Sequence, residues 1–112
     1  MIKMTPFHPF MIERLKDPEL AAAYLDATAA EKDLGSMLKA IRHVVEAQGG
    51  IGHLAKRTNL SRTTLYKTLS PSGNPGVNTL DAILGVYDLR ISFQPLVREK
   101  RGRYRARPRK KP

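Results

Sequence analysis

The stretch IGHLAKRTNLSRTTLYKTL, residues Ile51 to Leu69, carries the deciding pattern in this 112-residue chain. It predicts two short helices, Ile51 to Arg57 and Ser61 to Leu69, separated only by Thr58-Asn59-Leu60. So short a connection forces the helices to cross steeply, and a steep crossing makes demands on particular residues. A small residue must stand where the second helix presses on the first, and Ala55 is placed for it. The turn needs a residue that accepts positive φ. Glycine is commonest there, and Asn59 serves because asparagine enters the left-handed region readily. Leu60 must point inward. Leu65 and Leu69, four apart on one face, join Leu54 in the core. Ser61 caps the second helix, leaving its N-terminal amides and positive dipole to face a phosphate.

With those positions buried, Arg62, Thr63, Tyr66 and Lys67 face outward. This is a face suited to reading DNA. Arg62 has the forked donors that match a guanine edge, and Thr63 has a methyl for thymine. Lys67, one turn on, reaches a base or a phosphate, and Tyr66 lies against the backbone. No acidic residue occurs between Ala47 and Leu80 to repel a polyanion. The candidate DNA contacts are Ser61, Arg62, Thr63, Thr64, Tyr66, Lys67 and Asn78. The competing explanation is a plain helical hairpin whose polar side is merely solvated. The joint spacing of the turn, cap and core positions speaks against it.

Working outward, Pro6 and Pro9 are expected to keep the first dozen residues out of a helix. Asp17-Pro18-Glu19 marks a helix start, with Asp17 as cap and Pro18 where an amide would be orphaned anyway. Leu20, Ala23, Tyr24 and Ala27 supply its apolar face through about Ala30. Asp33 caps the next helix, in which Leu34, Met37, Leu38, Ile41, Val44 and Val45 follow amphipathic spacing up to Gly49-Gly50. Beyond the cluster Pro71-Ser72-Gly73-Asn74-Pro75-Gly76, Asn78 is expected to cap a last helix. That helix has Leu80, Ile83, Leu84 and Tyr87 inward and Asp81 in its first turn. Leu89, Ile91 and Phe93 then alternate with Arg90, Ser92 and Gln94 as a short strand ending at Pro95. A lone strand cannot satisfy its own backbone, so it must pair with the N-terminal segment or with its copy in a two-fold homodimer, which is favoured.

The fold expected is therefore mainly α: five helices, a helix-turn-helix and a short dimerising strand. The layout is an N-terminal segment over 1–16, a DNA-binding domain over 17–95 with its strand near 89–94, and a basic, flexible tail over 96–112. Charge is uneven along that layout. Of the net +10, residues Met1 to Val97 contribute +2 and Arg98 to Pro112 contribute +8. A run this basic attracts a polyanion or an acidic partner, unless it serves only as a solubilising tail.

Other chemistries find little support. The absence of cysteine excludes disulfides and thiolate metal sites. His8, His43 and His53 are scattered without metal-ligand spacing. The serines and threonines have no partnered His and acid, and Gly49-Gly50-Ile51-Gly52 lacks the strand and Gly-Lys-Ser/Thr of a phosphate loop. No enzyme activity and no cofactor are expected. No apolar run reaches the roughly 18 residues a membrane span needs. The N-terminal stretch lacks the features of a secretory signal, so the cytoplasm is the expected location.

Residues Ile51 to Leu69 resemble the helix-turn-helix of the Xre-like, phage-repressor-like family. The wider chain, from about Phe7 to Phe93, resembles probable addiction-module antidote proteins, the antitoxins encoded beside toxins of the RelE/ParE superfamily. LKDPELAAAYL, LSRTTLYKTLS, GNP and LRISF carry the likeness. The resemblance implies a protein that binds a cognate toxin and represses their shared operon, with the helix Ser61 to Leu69 in the major groove. Two features depart from the pattern: Thr68 stands where an apolar residue is usual, and the basic tail has no counterpart. The alternatives are a stand-alone Xre-like repressor and a protein or RNA interaction module whose tail does the binding. Phe7, Phe10, Tyr24 and Leu25 are more apolar than DNA reading needs, and they cover the core, a dimer interface or a toxin.

Overall fold

The computed structural model describes residues 7–96. Pro6 and the basic run from Arg98 to Pro112 lie outside the described residues. The described chain is built of helices: α1 (Phe7–Arg14), α2 (Pro18–Ala29), α3 (Leu34–Ala47), α4 (Gly50–Thr58), α5 (Arg62–Thr68) and α6 (Val77–Val86). The local start signals act as expected. A carboxylate oxygen of Asp17 accepts from the Glu19 amide at 2.9 Å. Asp33 accepts from both the amide and the hydroxyl of Ser36, at 3.1 and 2.6 Å. Those two bonds hold the Asp33 carboxyl below the usual carboxylate range.

The core forms around α3, which packs on α1, α2 and α4, while α4 also meets α5 and α6. Leu38, Ile41, Val44 and Val45 of α3 are buried with Leu15, Ala21, Leu54, Leu65, Leu69, Ile83, Leu84 and Tyr87. Polar ties fasten the ends. The Gln48 side-chain amide donates to the carbonyls of Leu15 and Lys16, each at 3.2 Å, and so joins the end of α1 to the end of α3. Tyr24 Oη and His43 Nδ1 lie 2.8 Å apart in a hydrogen bond between α2 and α3.

Four expectations need correction. Phe7–Arg14 is a helix despite Pro9, because Pro9 is its third residue and first-turn amides have no intrahelical acceptor to lose. Met11 and Ile12 of this sixth helix pack against the core. The buried face of α2 is Ala21, Tyr24, Leu25 and Thr28, with Ala23 and Ala27 exposed. An alanine-rich helix has sides of nearly equal apolarity, so α3 chooses among them. The buried Thr28 hydroxyl is satisfied by donating to the Tyr24 carbonyl at 2.9 Å.

The third correction concerns α6. It starts earlier than expected, with Gly76 at the cap position and no side-chain cap bond. Asn78 is thus the second residue of the helix, and Asp81 falls beyond its first turn. The carbonyl of Gly76 already accepts from the Leu80 amide at 3.0 Å, so the helix closes before Asn78 can cap it. Last, residues 89–96 form neither helix nor strand in the single chain. The N-terminal segment, the alternative to the favoured second copy, is helix α1 from residue 7 on and so offers no strand partner within the described residues.

Tyr87, 4% exposed at the end of α6, has no hydrogen-bond partner for its hydroxyl among the described residues. Burial pushes its phenol up to about 12. The folded state therefore prefers neutral Tyr87 more strongly than the unfolded chain, whose phenol titrates near pH ~10. The resulting contribution to stability is at most about 3 kcal/mol. It is complete below about pH 10 and is lost as pH rises towards 12. Tyr87→Phe is expected to abolish this alkaline decline and to match or exceed wild-type stability at neutral pH by up to about 1 kcal/mol. Urea melts across the alkaline range check this. Parallel curves for the two proteins above about pH 10 would contradict it.

Candidate nucleic-acid interface

α4 and α5 are joined by three residues, and each does a separate job. Asn59 takes φ 64° and ψ 20°, the left-handed conformation that reverses the chain, and its amide donates to the Ala55 carbonyl at 2.9 Å. Leu60 packs partly buried against the core. Ser61 Oγ accepts from the Thr64 amide at 3.0 Å and donates to Thr64 Oγ1 at 2.9 Å. The Thr64 hydroxyl is thereby engaged in the cap. At the preceding junction Gly49, at φ 115°, lets α3 run into α4 with almost no linker.

Leu65 and Leu69 are buried, and this sets the rotation of α5. Arg62, Thr63, Thr64, Tyr66 and Lys67 are all exposed, Tyr66 at 61%. Arg62, Thr63, Tyr66 and Lys67 share the outward side of one short helix, as expected. Asn78 is exposed but stands apart, on α6. Tyr66 and Lys67 also line a shallow hollow with Ser70, Ser72 and Asn74 of the following turn. That turn lies so close to α5 that a Cβ on Gly73 would collide with the Thr68 carbonyl.

The charge distribution is polarised. Residues 48–80 carry Lys56, Arg57, Arg62 and Lys67 and no acid, whereas residues 13–33 carry six acids against three bases. The α4–α5 stretch is therefore cationic where the α1–α2 stretch is acidic, although Glu46 of α3 lines a hollow beside Tyr66.

Three structural contributors were not legible beforehand. The Arg42 guanidinium, on α3, donates to the Leu69 carbonyl at the end of α5. No glycine follows α5 directly to satisfy its last carbonyls, and that lack was the one sequence sign that another donor was required. Gly52 lies under the side chain of Arg62, and Gly73 lies against the end of α5. Nothing local marks either glycine as a point of close approach.

Among the described residues no helix is long and apolar enough to cross a membrane. No curated protein and no solved structure is significantly similar to the chain. A family model does match, described as probable addiction module antidote protein and covering residues 4–95. That span includes all six helices and the segment after them, and the chain belongs to the family of probable addiction module antidote proteins.

Proposed function

We propose that this chain is a non-enzymatic, DNA-binding antitoxin that represses its own operon through the helix-turn-helix α4–α5. The observation that carries the DNA half is the outward side of α5. Arg62, Thr63, Tyr66 and Lys67 project from it within a stretch, residues 48–80, free of acids. An α-helix fits the major groove of B-DNA, and base-edge donors near its N-terminus are what direct readout uses. Family membership supports a toxin partner. The RelE/ParE superfamily is the partner class that the sequence resemblance implies.

The working unit in this reading is a homodimer. Ile91, Phe93 and Leu96 are exposed on the non-helical end of the chain, Phe93 at 94%, and a second copy would cover them. A two-fold dimer also matches the two half-sites of a palindromic operator.

Co-expression with the product of the adjacent small reading frame, together with footprinting on the DNA upstream of the two genes, tests the whole reading. A stable complex, relief of toxicity and a protected palindrome are expected. DNA protection without a partner would leave the stand-alone repressor. Arg62→Ala tests the reading face itself. It is expected to lose about 1–3 kcal/mol on the protected site and little on random duplex. Equal weakening on both, measured by fluorescence anisotropy, would rule out base reading by Arg62.

A further inference from the structure

The first turn of α4 meets the first residue of α5 at Gly52. A Cβ built on Gly52 would stand 2.8 Å from Nη2 of Arg62 and 3.3 Å from its Cζ. Among the described residues, Gly49 and Gly50 are the glycines with positive φ, so the backbone at Gly52 makes no demand that alanine could not meet. Glycine is nevertheless among the poorest helix formers, and α4 is only nine residues long. What the missing side chain provides is room, and the Arg62 guanidinium fills it.

We propose that Gly52 is a specificity-determining positioning residue: a notch in α4 that seats the Arg62 guanidinium and sets the direction from which it approaches a base edge. This rests on the DNA-reading function proposed above. An arginine pairs with guanine through two parallel hydrogen bonds, which require the guanidinium plane to arrive in one orientation. On a freely rotating side chain that orientation must be selected at the moment of binding. Packed against a helix, part of the rotamer entropy is already lost before DNA arrives. A methyl group at position 52 takes the seat. The atoms it displaces are the far end of a flexible side chain, so the helices stay in place while Arg62 swings out.

The test compares wild type, Gly52→Ala and Arg62→Ala by selection of bound duplexes from a randomised DNA library. Thermal melts and the NMR resonance of the Arg62 side-chain Nε–H are recorded for wild type and Gly52→Ala. Gly52→Ala is expected to melt at the wild-type temperature or above. Its Arg62 resonance should move to that of an arginine whose guanidinium packs against no helix. Its base preference should fall from roughly tenfold or more to below about threefold at the one pair per half-site that Arg62→Ala also relaxes, with the rest of the consensus intact. A wild-type consensus from Gly52→Ala would overturn the proposal. So would a melt several degrees lower with preference lost at every position, since that marks a glycine needed only for folding. If wild type itself selected no consensus, the DNA-reading function would fall, and with it any role in specificity. An unmoved Arg62 resonance would remove even the seat.

Discussion

Leu54→Ala is expected to cost roughly 3–5 kcal/mol of folding stability, at the upper end for a core leucine. Leu54 is 0% exposed and lies on α4, the helix that packs on α3, α5 and α6. Neither α4, at nine residues, nor α5, at seven, would hold a helix alone in water. Their structure is therefore supplied by burial, and a cavity here loosens three contacts together. Domains of this size are stable by only about 5–15 kcal/mol. The melting temperature should fall by roughly 12 °C or more. Thermal and urea melts followed by circular dichroism check this. A loss below about 1 kcal/mol would mean that the site collapses without leaving a cavity, and that α4 is not the hub inferred from its contacts. An exposed control on the same unit, Thr63→Ala, should stay within about 0.5 kcal/mol of wild type.

The second large effect concerns affinity. Deleting Arg98 to Pro112 removes nine basic residues and one acid, most of the net charge. Each phosphate those residues neutralise contributes about 0.9 to the slope of log affinity against log salt. From that slope, each contact is worth roughly fivefold at an ionic strength near 0.15 M, so four contacts amount to several hundredfold. The loss should be equal on operator and random duplex, because phosphate contacts carry no sequence information. Titrations at several salt concentrations measure both quantities. An unchanged slope would show that the tail does not touch DNA. Loss of sequence preference along with affinity would move the recognition from α5 to the tail and favour an RNA- or protein-binding module.

The two effects divide the labour proposed for this chain. In that proposal α5 would discriminate, held by the helices behind it, and the tail would supply attraction without discrimination. The Arg62 prediction and the tail prediction are separable by one comparison: the first changes the ratio between specific and random DNA, the second changes both together.

Much of this was legible in the sequence, and for a physical reason. A cap, a left-handed turn residue and an amphipathic stripe act over one to five residues, so the information and its consequence lie side by side in the chain. Asp17, Asp33 and Ser61 cap the helices they were expected to cap, Asn59 takes positive φ, and the apolar run of α3 faces the core from Met37 on, with Leu34 in its first turn left 44% exposed. The outward set on α5 followed from the same periodicity, because burying Leu65 and Leu69 leaves few choices for the rest. Tertiary structure decided whatever depended on a distant partner. The alanines of α2 leave its rotation to α3, and α1 forms because Leu15 and Gln48 anchor its end. Arg42 reaches the last carbonyl of α5 across 27 residues of sequence. The same holds at the centre of the motif quoted first: Arg62 was legible as an outward-facing residue of α5, but the glycine under its guanidinium became visible only once two helices were crossed at that point.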